Sequence, residues 1–184
     1  PSVLRLLVVG RWTANIIVLE RSMVRSVVTC AESRGAPVLP KRSGSRAVTD
    51  QRGAICGAAT LVVKVGSSSL TLPGGGIDVR RVDDLVDALS EVIAVGRRVV
   101  LVSSGAIATG FPAMGITHRP RTLAGKQAAA SVGQGILLAH YASRFASHGL
   151  RVGQVLLTVN DLVRPTSYRN AWSTLDTLLG LGVV

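Results

Sequence analysis

Leu61-Val62-Val63-Lys64-Val65-Gly66-Ser67-Ser68 and Val99-Val100-Leu101-Val102-Ser103-Ser104-Gly105-Ala106 are two runs of β-branched and apolar residues, each stopping abruptly at Gly and Ser. A buried parallel strand reads this way, because helices cover both of its faces and leave no polar alternation. At the end of such a strand, Gly lets backbone N–H groups approach a ligand closely, and Ser adds a hydroxyl. Lys64 places a positive charge just before the first turn. Two such turns at one edge of a sheet make a site for phosphate and a small acid, which is the chemistry of a kinase.

Working outward, the chain alternates strand and helix. Thr71–Gly76 (T-L-P-G-G-G) is a turn cluster. Val79, Val82, Leu85, Val86, Leu89, Val92 and Ile93 then recur at helical spacing, with Asp83, Asp84, Asp87 and Glu91 mostly on the other face. Gly96 stops that helix before the second strand, Arg98–Ser103. An Ala/Gly-rich helix is predicted from Ala124 to Ser147, its small residues permitting close packing on a neighbour, and Gly149 ends it. A third strand is expected at Val152–Thr158, a further helix from about Tyr168 to Leu179, and the opening of a fourth strand at Gly182-Val183-Val184. This succession of right-handed crossovers predicts an α/β fold, a three-layer α/β/α sandwich with a mainly parallel sheet, cut off at its C-terminal end. Ligands are expected at the carboxyl edge of the strands.

Residues 1–58 look different from residues 59–184, and the two are read as separate regions. The apolar stretch from Val3 to Leu19 is broken by Arg5 and Arg11 and lacks a small-residue cleavage site, so it makes a poor signal peptide. Arg34 to Gly57 is rich in Arg, Ser, Gly and Ala without a sustained period. The reading is a basic, disordered or non-native extension. A misassigned upstream start, with Met23 as one internal alternative, is preferred over an organelle transit peptide, and no function is assigned to this region.

The net charge of +11 invites a nucleic-acid reading, but its distribution argues against one. Residues 1–60 hold nine Lys/Arg against three acids, whereas residues 61–184 hold twelve against seven. No basic run is interleaved with aromatic residues that could stack on bases, so no nucleic-acid partner is expected for residues 59–184. No apolar run approaches the roughly 20 residues of a membrane helix, and no membrane partner is expected. Cys30 and Cys56 form no C-x-x-C and sit near no His cluster, which disfavours a zinc site or disulfide framework and points to a reducing cytoplasm.

Other motifs fail on context. Gly125-Lys126 is followed by Gln127 and lies in a predicted helix, so it is not a Walker loop. Gly133-Gln134-Gly135 follows a helix, not a strand, and is not a dinucleotide fingerprint. His118, His140 and His148 lack metal-ligand spacing and are assigned surface or packing roles; no metal ligand is predicted. Taken singly, Lys64 is a solvated strand cap and Ser103-Ser104-Gly105-Ala106 an ordinary helix N-cap. A helix start is also an anion site, and it is the pairing of the two turns that favours a ligand.

Residues 61–184 closely resemble the N-terminal part of the glutamate 5-kinases (γ-glutamyl kinases) of the amino-acid kinase superfamily. The resemblance runs through L-V-V-K-V-G-S-S at 61–68, V-V-L-V-S-S-G-A-I-A-T-G at 99–110, K-Q-A-A-A-S-V-G-Q at 126–134 and V-G-Q-V-L-L-T at 152–158. Asp161, Asn170-Ala171 and Thr174-Leu175 continue it. These blocks keep their order and approximate spacing over most of residues 61–184, and the second and fourth favour this family over aspartate, acetylglutamate, carbamate or uridylate kinases.

The resemblance implies ATP-dependent phosphorylation of the L-glutamate side-chain carboxylate, giving γ-glutamyl phosphate, the first step of proline synthesis. By position, Lys64 matches the catalytic lysine that contacts the ATP phosphates, and Gly66 and Ser67 match the phosphate-side turn. Ser104 matches a glutamate-binding serine, with Gly105 and Ala106 helping through backbone N–H groups. ATP and Mg²⁺ are implied, the ion bridging phosphate oxygens. So are a cytoplasmic location and a homo-oligomer for the intact protein. The chain stops at Val184, before the family's N-E-N-D-type glutamate segment, its second lysine-bearing lobe and the C-terminal PUA domain of many members. It therefore reads as a fragment with half an active site and little or no activity alone. The alternatives are another amino-acid kinase, or a non-catalytic small-molecule-binding fragment.

Overall fold

The computed structural model describes residues 58–184 and the backbone of one strand, Ala14–Leu19. Three strands form a parallel sheet in the order β1 (Ala14–Leu19), β2 (Thr60–Val65), β3 (Arg98–Ser103). The helices are α1 (Ser67–Leu70), α2 (Val79–Ala94), α3 (Ala106–Ala113), α4 (Leu123–Ala146), α5 (Val159–Val163) and α6 (Pro165–Gly180). The expected α/β architecture with a parallel sheet is present. β1 departs from the expectation for residues 1–58: Ala14–Leu19 pairs in register with Thr60–Val65 along the edge of β2. Parallel pairing of six residues needs only a continuous extended run, and A-N-I-I-V-L provides one. Met23, Cys30 and Cys56 lie outside the described residues.

β2 and β3 pair with Leu61 opposite Val99, Val63 opposite Leu101 and Val65 opposite Ser103. Side chains alternate across a strand, so these six share one face. Against it pack α2, through Val82, Leu85, Val86, Leu89 and Val92, and α4, through Leu137, Tyr141 and Phe145, all buried. The α2 residues recur at i, i+3, i+4 and i+7, as the helical spacing predicts; Val79, at the first position of the helix, is the member left exposed. Each fully buried Val or Leu contributes about 1.5–3 kcal/mol, so this layer is the main source of stability.

The acidic face of α2 turns partly towards α4. His140 Nε2 meets Asp83 Oδ1 at 3.0 Å, and Arg144 Nη2 reaches both Asp87 oxygens at 2.6 and 2.7 Å. His148 Nε2 lies 2.8 Å from Asp87 Oδ1. Slight burial pushes the Asp87 carboxyl up, but the hydrogen bonds from His148 and Arg144 and their charges outweigh it and hold the group below its ordinary value. These pairs are partly solvated and add little energy individually, and they link α4 to α2 beside the buried layer.

The C-terminal part differs from expectation. The strand expected at Val152–Thr158 does not form: residues 152–158 join no ladder, and α5 begins at Val159 with Thr158 as its N-cap. A strand composition becomes a strand only where a neighbour's edge offers partners. Here a cavity of about 610 Å³ lies between this segment and β3, lined also by Leu138 of α4 and by Leu175 and Leu178 of α6. The backbone partners lie at the C-terminal end of the chain: Gly153 N–H donates to Val184 O and Val184 N–H to Arg151 O, both at 2.9 Å. The expected fourth strand is accordingly a single parallel bridge, Arg151 to Val183.

α3 and α4 cross at their glycines. A Cβ on Gly133 would fall on the backbone of Ala106 and Gly110, and one on Gly110 would fall on Ala129 and Gly133. Gly135, in the same helix, faces open space. In a free helix Gly→Ala is worth up to about 1 kcal/mol of stabilisation, whereas overpacking costs about 1–3 kcal/mol or more. Urea denaturation should therefore give opposite signs two residues apart: Gly135→Ala raises the midpoint and Gly133→Ala lowers it. A stabilising Gly133→Ala would contradict the crossing.

Candidate active site

The two strand ends meet. β2 stops at Val65, Gly66 caps α1 in an extended conformation (φ −77°), and β3 stops at Ser103 before Gly105 caps α3. The hydroxyl of Ser104 donates to the carbonyl of Val65 at 3.0 Å, across the gap between the strands. Gly105 has φ +115°, which turns the chain sharply so that the N–H groups of Ala106 and the residues after it start a helix. A Cβ built on Gly105 would meet Thr71 Cγ2 at 3.4 Å and Ser67 Cα at 3.6 Å, so a side chain there would pack against α1 and its C-cap.

The sequence-predicted residues lie along these two neighbouring strand ends, and the hydrogen bond between them is the one from Ser104 to Val65. Lys64 is exposed on β2 directly before the turn. Gly66 has open space where a side chain would be, and Ser67 follows it. Ser104 is exposed, with Gly105 and Ala106 half-buried beside it. The local chemistry is one exposed cation, three hydroxyls at Ser67, Ser68 and Ser104, and backbone N–H groups, with no carboxylate in either turn. Such a surface suits anions.

Sequence reasoning missed the residues that hold these turns. Thr71 Oγ1 donates to Ser67 O at 2.9 Å, and Arg81 Nη1 donates to Ser68 O at 3.4 Å while its Nε pairs with Asp78 at 3.0 Å. Gly76 N–H donates to Ala108 O at 2.8 Å, fastening the T-L-P-G-G-G turn to α3. On the α4 side, Tyr141 Oη lies 3.0 Å from Ser103 Oγ. Helical periodicity marks Arg81 as a surface residue and Tyr141 as core, and neither assignment carries a signal for the 13- and 38-residue separations these bonds span. His118 meets Thr117 at the surface, and His140 and His148 meet the α2 carboxylates.

Residues 59–184 match the amino acid kinase family. The chain belongs to the amino acid kinase family. Within it, the chain is similar to glutamate 5-kinases. It is 99% identical over 137 residues to that of Cutibacterium acnes, a match covering 74% of this chain and 35% of the relative. It is 59% identical over 133 residues to that of Salinispora arenicola, covering 72% and 36%. With that of Bifidobacterium adolescentis it shares 56% identity over 133 residues, covering 72% and 35%. The chain thus spans about 35% of the length of the curated relatives it matches. Among the described residues no helix is long and apolar enough to cross a membrane.

The positive φ of Gly105 is a specific requirement of this family member's second turn. An L-residue there costs about 1–2 kcal/mol, whereas Gly66 at φ −77° imposes no such penalty. Gly105→Ala should lower the unfolding free energy by about that amount in a urea titration, with Gly66→Ala close to neutral. Equal effects of the two substitutions would contradict the geometry.

Proposed function

We propose that this chain forms the first part of a glutamate 5-kinase, with the Lys64–Ser67 turn facing the ATP phosphates and the Ser104–Ala106 turn facing glutamate. The observation that carries the reading is the contact between the two turns, Ser104 Oγ on Val65 O at 3.0 Å. A phosphoryl donor and an acid acceptor held by these turns would lie side by side, which in-line transfer requires. The glutamate 5-kinases to which the chain is similar support the choice of acid.

In this reaction a γ-carboxylate oxygen of glutamate forms a bond to the γ-phosphorus of ATP. The bond from that phosphorus to the bridging oxygen breaks, giving γ-glutamyl phosphate and ADP. The acceptor is a carboxylate with an ordinary pKa near 4.3, so it is already ionised at neutral pH and needs no general base. That fits turns with no carboxylate or imidazole. Catalysis is left to positioning and charge: Lys64 and the Gly66–Ser67 N–H groups stabilise the transferring phosphoryl group. The Ser104 proton is directed at Val65 O, so its free lone pairs suit the glutamate ammonium, and the N–H groups of Gly105 and Ala106 suit a carboxylate.

Among the described residues no group of three His, Cys, Asp or Glu could hold a metal ion. The turns thus do not form a protein cage for magnesium, and on this reading the ion arrives on the nucleotide, where it would neutralise phosphate charge. Homo-oligomerisation, cytoplasmic location and a place in proline synthesis belong to the same proposal, for the intact protein. The chain alone, at about 35% of the relatives' length, is expected to lack turnover.

The test is glutamate-dependent ADP formation by the full-length protein carrying this sequence. Lys64→Ala should lower kcat/KM by about 10²–10³-fold, the usual effect of losing one transition-state donor. Unchanged kinetics in Lys64→Ala would remove Lys64 from the reaction. Turnover by the isolated 184-residue chain would overturn the half-site reading.

A further inference from the structure

Tyr141 belongs to the buried core between the sheet and α4, yet its hydroxyl reaches the exposed end of β3. Its side chain is 5% exposed and packs beside Phe145, with ring centroids 6.5 Å apart. Burial pushes the phenol pKa up, and the hydrogen bond with Ser103 offsets part of that rise. The group is therefore a neutral phenol at working pH, able both to donate and to accept. A buried phenol needs a partner, and Ser103 Oγ at 3.0 Å is the one it has among the described side chains.

Ser103 immediately precedes Ser104. Two consecutive residues are thus held by two different elements: Ser103 by Tyr141 of α4, and Ser104 by the carbonyl of Val65 in β2. α4 itself is fixed on α2 by the His140 and Arg144 pairs, which flank Tyr141 in sequence. Packing alone would be satisfied by Phe at 141. The hydroxyl adds nothing to the core except this bond to the end of β3.

We propose that Tyr141 is a positioning residue for the acid-side turn: its hydroxyl, through Ser103, sets where Ser104 and the Gly105–Ala106 N–H groups lie. The assignment rests on the reading of that turn as the glutamate side. Tyr141 does not touch substrate; it acts through Ser103. Because the Lys64–Ser67 turn is held by Thr71 and Arg81 instead, loss of the Tyr141 hydroxyl loosens one turn and leaves the other in place.

The test is steady-state kinetics of the full-length protein with Tyr141→Phe, Ser103→Ala and both together, varying glutamate and ATP separately. A structural role alone would shift thermal stability without separating the two substrates. The expected result is a rise of about 5–30-fold in KM for glutamate, the range of one or two lost hydrogen bonds, with KM for ATP changed less than twofold. The double substitution should be no worse than the more severe single one, because both remove the same link. Equal changes in both KM values, an unchanged KM for glutamate, or additive effects would overturn the positioning role. If the unsubstituted protein shows no glutamate-dependent turnover, the functional reading itself fails and takes this assignment with it, an outcome distinct from a normal enzyme insensitive to Tyr141→Phe.

Discussion

The hydrogen bond from Ser104 to the carbonyl of Val65 is the constraint on which the rest depends, because it joins the ends of two parallel strands at the edge where ligands gather. Strand ends in a parallel sheet carry unpaired backbone groups. One of those groups, the Val65 carbonyl, is satisfied here by a side chain from the adjacent turn. The left-handed conformation of Gly105 follows from the same requirement: the chain must reverse within one residue to leave Ser104 against β2 and still begin α3. The first turn keeps its own supports at Thr71 and Arg81, so the bond places the second turn against β2.

Around this junction the packing has a division of labour. α2 and α4 bury the apolar face of β2 and β3, and charged pairs link the two helices. α3 is held on α4 by the backbone contact at Gly110 and Gly133, so the helix that starts at the second turn cannot slide without disturbing α4. Close glycine packing and a side-chain bond at Tyr141 thus both tie the second turn and its helix to α4. On the proposed function, two anionic reactants would be held near each other here, and such rigidity would matter, since misplacement by about 1 Å can reduce a rate by about 10²-fold.

Much of this was legible in the residues. β3 falls at Arg98–Ser103 as expected, and α2 and α4 begin and end within a residue or two of their predicted limits, because periodicity and glycine stops are local signals. The two turns were legible for the same reason. The expected strand at Val152–Thr158 was not: its composition is that of a strand, but Leu156 is 73% exposed and β3 is across a cavity. Pairing is a non-local property, and composition cannot say whether a partner edge is within reach. β1 was missed for the converse reason, an extended run in a region whose composition argued against order. Thr71 was placed only in a turn cluster and Tyr141 and Arg81 carried no motif, and only three-dimensional proximity shows what they hold.

The central claim is that the two joined turns are the donor and acceptor sides of one site. A structure of the full-length protein with glutamate and a non-hydrolysable ATP analogue tests it most directly. The account predicts the terminal phosphate within hydrogen-bond reach of Lys64 and the Gly66–Ser67 N–H groups, with a glutamate carboxylate at the Gly105–Ala106 N–H groups. Either ligand bound away from these turns, in a complex that supports turnover, would contradict it.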